Sequence, residues 1–325
     1  MKQLLAVMLL VLATGAFAQD HSFVENGILY RSSSAKAVSQ VAVFRDVGRI
    51  IDQKPAAQKL LYLAASRTPN NDAVSGSNLM LVDTKTWSNR LVATSVITAN
   101  LSPDGTMAVL WRSGHKVTLV RSDGSLLQQI GTHGAAPVFS HDGNFIAYQK
   151  LADSSSDGSL QGLFEEAQGI SVYDVRTGRE NLVTSSGTDD FAPVGFSLDL
   201  NKLYFNSTRP YERSSHNHVA SLWVVDLKNG EKQRLTNLDE AAVRRGAVTP
   251  IPNETALWSS DRTAIVFSNG REEGVWKFAL SSDGRLSNAT RIADGESPQW
   301  VIPDETIAIR TISNGKSAWR ILSVR

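Results

Sequence analysis

The sequence predicts an all-β fold, a β-propeller of six four-stranded blades. Three observations predict it. A turn signature built on aspartate returns along the chain, an alternating strand pattern follows each copy, and the copies are spaced by about one blade. Self-similarity of this kind is read before any single motif, because it sets the whole architecture.

The signature is an apolar or aromatic residue, a small polar one, then x-Asp-Gly or a worn form of it. It stands as Leu101-Ser102-Pro103-Asp104-Gly105 and as Phe139-Ser140-His141-Asp142-Gly143. It returns as Phe196-Ser197-Leu198-Asp199-Leu200 and Trp258-Ser259-Ser260-Asp261-Arg262. A degraded copy, Trp300 to Glu305, carries one extra residue. Aspartate and glycine tolerate the positive φ that tight hairpin turns require, so each copy reads as a turn between paired strands.

The strands follow directly. Met107–Leu110, Phe145–Tyr148, Lys202–Phe205, Ala264–Phe267 and Thr306–Ile309 are short alternating runs rich in β-branched and aromatic residues. A second apolar strand, such as Ile170–Tyr173 or Leu222–Val225, ends in Asp174 to Gly178 or Asp226 to Gly230. Leu182-Val183-Thr184 and Arg234-Leu235-Thr236 are expected to supply a fourth strand. In the first unit, Ile50-Ile51-Asp52 and Lys59–Leu63 hold the equivalent places. The landmarks Asp52, Asp104, Asp142, Asp199, Asp261 and Asp304 lie 52, 38, 57, 62 and 43 residues apart. Propeller repeats run to about 40 to 50 residues, so the longer intervals imply insertions rather than missing blades.

Upstream of the repeats, Lys2, the apolar run Leu4–Ala13 and Ala16-Phe17-Ala18 form an export signal, residues 1–18, that leaves Gln19 as the first mature residue. The apolar run is shorter than the roughly 20 residues a bilayer span needs. The absence of Arg-Arg before it favours the Sec-type route. The expectation is a periplasmic or secreted protein with no membrane insertion after cleavage.

Residues 19–45 form a short N-terminal segment, and residues 46–325 the propeller. The last unit, read to Arg325, is one strand short. An open apolar edge invites aggregation, so Phe23–Arg31 is expected to close the ring as the missing outer strand, with Val41–Phe44 the second choice.

Composition excludes several functions. No cysteine occurs, which rules out lipidation on cysteine, disulfides, thiolate metal sites and a cysteine nucleophile. There are 33 basic and 32 acidic residues, and removing Lys2 with the signal leaves a net charge of zero. The basic residues are scattered singly, so nucleic acid is not an expected partner.

The repeat resembles that of the TolB-type β-propellers, in which an aromatic-Ser-Pro-Asp-Gly turn is followed by strands ending in Asp, a Gly turn and often Leu-Thr. Leu101–Gly105, Phe139–Thr184 and Phe196–Thr236 carry the resemblance, which covers roughly residues 46–325. It implies fold more than function. Residues 19–45 are too few for the separate N-terminal domain that TolB carries. TolB-like propellers also precede serine-peptidase domains, but no Gly-x-Ser-x-Gly elbow occurs here.

Function is expected on one face. Loops between the second and third strands of a blade share a face with the blade-to-blade connections, opposite the aspartate turns. Insertions at Arg67–Ser77, Lys150–Gly169, Asn206–Ala220 and Asn237–Thr255 all fall on that face. Loops on a rigid scaffold carry function, so a protein-binding surface is expected there, with another envelope or secreted protein as partner. Its candidate residues are Arg209, Tyr211, Arg213, His216, His218, Arg244 and Arg245, because Tyr and Arg anchor interfaces.

No catalytic residue, metal site or cofactor is assigned. His216 and His218 lack a carboxylate set for a metal. Asp153 and Asp157 resemble part of a calcium loop, but its twelfth position is Phe164 rather than a bidentate Glu. The first alternative is a carbohydrate-active lyase or hydrolase at the channel mouth, built from Asp189, Asp190, Asp239, Glu240 and the two loop histidines. The second is a small-ligand or peptide sensor.

Overall fold

The structure, a computed structural model, describes residues 21–25, 27–32, 40–65, 76–131, 133–152, 167–185, 190–207, 221–236, 256–269, 272–281, 290–302, 304–313 and 316–324. Among these residues every regular element is a β-strand and every pairing is antiparallel. The chain is all-β, as the repeat predicts.

An N-terminal meander of β1 (His21–Glu25), β2 (Ile28–Ser32) and β3 (Gln40–Arg45) comes first. A seven-stranded sheet follows: β4 (Val47–Lys54), β5 (Lys59–Ala64), β6 (Ser77–Asp83), β7 (Ser88–Leu101), β8 (Met107–Arg112), β9 (Lys116–Arg121) and β10 (Leu126–Gly131). Three four-stranded sheets come next. The first holds β11 (Gly134–Phe139), β12 (Phe145–Leu151), β13 (Ala167–Asp174) and β14 (Glu180–Leu182). The second holds β15 (Asp190–Phe196), β16 (Lys202–Ser207), β17 (Ser221–Asp226) and β18 (Lys232–Arg234). The third holds β19 (Leu257–Trp258), β20 (Ala264–Asn269), β21 (Glu272–Ala279) and β22 (Thr290–Ala293). The last sheet has β23 (Glu296–Ile302), β24 (Thr306–Ser313) and β25 (Lys316–Ser323).

The seven-stranded sheet is two four-strand units that share β7. Ser95, at φ +56°, bends that strand. Its first half pairs with β6 and its second half, from Val96, with β8. The two halves fold face to face, so Leu61, Leu79 and Leu81 pack against Val96, Leu101 and Leu110. Successive sheets stack in the same way. Tyr148 and Ile146 meet Val109 and Leu119, Phe205 and Phe196 meet Val138 and Val172, and Phe267 and Phe278 meet Tyr204 and Leu222. Ile307 and Ile309 then meet Val266 and Val275. No sheet buries both faces alone; each is covered by its neighbours.

The aspartate turns work as small self-contained devices. Ser102 Oγ donates to Asp104 Oδ1 at 2.6 Å, and the Met107 N–H donates back to Ser102 Oγ at 3.0 Å. Asp104 also accepts from the Thr106 N–H, and a Gly105 N–H to Ser102 carbonyl bond closes the turn. Ser140–Asp142, Ser197–Asp199 and Ser259–Asp261 repeat the arrangement. Gly105, Gly143, Leu200 and Arg262 occupy the same left-handed position, at φ +68°, +76°, +58° and +58°.

The fourth strands differ from expectation. β14 and β18 end at Leu182 and Arg234, before the threonines. Thr184 Oγ1 instead accepts from the Ile170 N–H at 2.9 Å, and Thr236 Oγ1 from the Leu222 N–H at 3.0 Å. A side-chain hydroxyl takes the place of the ladder carbonyl.

The N-terminal segment also differs. Phe23–Arg31 is broken at Gly27 (φ +73°) into a hairpin, β1 with β2, whose second strand also pairs with β3. Among the described residues neither this hairpin nor Val41–Phe44 joins β25, which pairs with β24 alone. The meander instead stacks on the first unit: Leu29, with Val24 and Phe44, packs against Val47, Leu60, Tyr62 and Val82.

Candidate functional site

The six strands β4, β7, β11, β15, β19 and β23 all contribute to the wall of one cavity of about 660 Å³. It extends from Arg49 and Ser268 at one end to Lys54, His141, Ser260 and Arg262 at the end where the aspartate turns lie.

Side-chain bonds tie these inner strands together. Asp52, in β4, accepts from the Leu101 N–H at 2.7 Å, from Asn100 Nδ2 at 2.9 Å and from Lys54 Nζ at 3.0 Å. Asn100 passes the link on, its Oδ1 accepting from the Phe139 N–H at 2.9 Å. Trp258 Nε1 donates to the Val194 carbonyl at 3.0 Å, and Asp304 accepts from the Ser260 N–H at 2.7 Å. Gly195 is required beside the indole: a Cβ there would sit 2.7 Å from Trp258 Nε1.

The anchor carboxylates are held ionised. Hydrogen bonds from Ser197 and Asn201 pull the Asp199 carboxyl down to about 2, and Ser259 and Thr263 lower that of Asp261. At Asp104 and Asp142 burial pushes the other way, but the serine and turn hydrogen bonds outweigh it and the net shift is downward. Such groups are acceptors, not proton donors, near neutral pH.

Arg262, in the β19–β20 turn, and His141, in the β11–β12 turn, both line the cavity. The Arg262 guanidinium lies 5.2 Å from the Trp258 ring centroid, and burial lowers its pKa to about 10. His141 is lowered from its usual value by burial first and by the positive charge of Arg262 second. Its Nδ1 is buried with no hydrogen-bond partner among the described residues, as are Gln53 Oε1 and Gln299 Oε1.

The residues expected to bind a partner, Arg209, Tyr211, Arg213, His216, His218, Arg244 and Arg245, lie outside the described residues, as do Asp153, Asp157, Asp189, Asp239 and Glu240. Asp190 is the exception. It is fully buried in β15, accepts from Ser207 Oγ at 2.7 Å, and is not part of the cavity wall. Arg262, Trp258 and His141 were legible only as turn residues, although an arginine in the place of a turn glycine is a signal the sequence does carry.

No family model matches the sequence, and no curated protein does. Solved structures do. TolB from Acinetobacter baumannii superposes with a TM-score of 0.53 at 16% identity, over 87% of this chain and 66% of that one. The fold is that of a TolB-like β-propeller. The chain thus spans just under two thirds of that TolB. An oligogalacturonate lyase in complex with manganese gives a TM-score of 0.55 at 11% identity, over 94% of this chain and 96% of that one. Porphyromonas gingivalis dipeptidyl peptidase 4 gives 0.55 at 10% identity, over 94% and 50%. Identities this low establish the shared fold alone.

Proposed function

We propose that this chain is an exported, six-bladed propeller that serves as a non-enzymatic binding scaffold in the periplasm or outside the cell. It captures another envelope or secreted protein through the face that carries the insertions. Six inner strands around one cavity support the blade count. The Ala16-Phe17-Ala18 sequence supports export.

One observation carries the binding reading over a catalytic one. The anchor carboxylates Asp104, Asp142, Asp199 and Asp261 are bound to their own serines and turn amides and lowered in pKa, and Asp52 bonds the neighbouring inner strand. A general acid needs the opposite, a carboxyl raised toward neutral pH. These five aspartates hold turns and join strands.

The test is to replace residues 208–220 by a tight turn in the exported protein and repeat capture of envelope proteins from the parent cells. Loop shortening costs little stability, so melting should be unchanged. Loss of the captured protein is the expected result. Capture that survives the replacement would place the interface elsewhere.

A further inference from the structure

The cavity has a second capacity at the end away from the insertions. We propose that its anchor-turn mouth is a binding site for a small organic carboxylate, gripped by Arg262. This is a separate site from the protein-binding face, and it does not depend on that reading.

Charge supports an anion. Among the described residues the cavity wall holds Arg49, Lys54 and Arg262 against one carboxylate, Asp52. Asp52 is already occupied by Lys54, Asn100 and the Leu101 amide. Arg49 donates to the Ile97 carbonyl at 3.2 Å. Arg262 is half-buried at the cavity wall and has no carboxylate partner among the described residues, a setting that favours an anion beside it. The guanidinium lies over the Trp258 ring, and its planar fork can bind a carboxylate through two parallel N–H···O bonds.

The rest of the wall describes the rest of the ligand. Ile51, Leu257, Trp258 and Trp300, all half-buried, give it apolar surface. Inorganic phosphate has nothing to place there, whereas an organic acid has a carbon skeleton. His141 Nδ1, Gln53 Oε1 and Gln299 Oε1, which have no partner among the described residues, offer hydrogen bonds for polar groups on that skeleton. The volume lies within the range of about 300 to 1,000 Å³ usual for small-ligand pockets. A free small acid and the C-terminus of a short peptide share this chemistry.

Calorimetric titration of the whole exported protein with propionate, N-acetyl-alanyl-alanine, the same dipeptide as its amide, and inorganic phosphate tests the site. The acids are expected to bind and the amide not to. Arg262→Gln should weaken binding at least about tenfold, the scale of one lost charged hydrogen bond. Arg262→Lys, which keeps the charge and is the safer variant for folding, should retain partial affinity. Propionate binding as tightly as the dipeptide acid identifies a free acid as the occupant; tighter dipeptide binding identifies a peptide terminus. Absence of carboxylate binding below about 10 mM overturns the proposal. So does equal binding of the amide, phosphate binding as tightly as the acids, or full affinity in both Arg262 variants.

Discussion

Thr184 Oγ1 accepts a hydrogen bond from the Ile170 N–H at 2.9 Å, inside a wall where Thr184 is only 1% exposed. The short strand β14 stops before it can pair with that amide, and the hydroxyl completes the ladder. Thr184→Val keeps the shape and strands a buried N–H, at a cost of about 1 to 3 kcal/mol. The melting temperature should fall by about 2 to 4 °C per kcal/mol in a protein of this size, and Thr184→Ser should restore most of it. Thermal unfolding followed by circular dichroism checks both variants.

Asp199 links stability to acid. Its folded pKa, about 2, lies below the ordinary carboxylate value. Its contribution is therefore fully present above about pH 4 and is lost as pH falls through about 2. Asp199→Asn should melt below the native protein at pH 6, and the difference should shrink steadily toward pH 2. A melting series across that window reads the effect directly.

Gly195 lets Trp258 approach the neighbouring inner strand. Gly195→Ala drives a methyl group to 2.7 Å from Trp258 Nε1, so the indole must leave the Val194 carbonyl. Overpacking of this kind costs about 1 to 3 kcal/mol. A lower melting point with a red-shifted tryptophan emission is expected.

The N-terminal meander covers the first unit. Leu29 is fully buried against Leu60, Tyr62 and Val82. Leu29→Ala should cost about 2 to 5 kcal/mol in denaturant unfolding. Deleting residues 19–33 should destabilise further and promote aggregation, through exposure of that apolar face rather than of a strand edge.

The turns and the strands after them were legible because their chemistry is local. Serine, aspartate and glycine satisfy one another within a few residues, so Ser102-Pro103-Asp104-Gly105 announces its own geometry. The long-range features were not legible. That Thr184 caps a strand depends on Ile170, 14 residues away, and Asn100 reaches Phe139 across 39. The Asn26-Gly27 pair is a hairpin signal inside Phe23–Arg31, but its apolar content made that segment read as one strand. Arg262 stands in a turn that looks worn; only the convergence of inner strands on one cavity brings it to the wall.

Site-specific photocrosslinking in the parent cells tests most directly whether this propeller binds a protein through its insertion face. A photoreactive residue at position 213 lies in the Asn206–Ala220 insertion, and one at position 123 lies in the β9–β10 turn, where the Ser122 N–H bonds the Thr106 carbonyl beside an aspartate turn. A discrete protein adduct is expected from position 213 and none from position 123. An adduct from position 123 alone, or none from either, would contradict it.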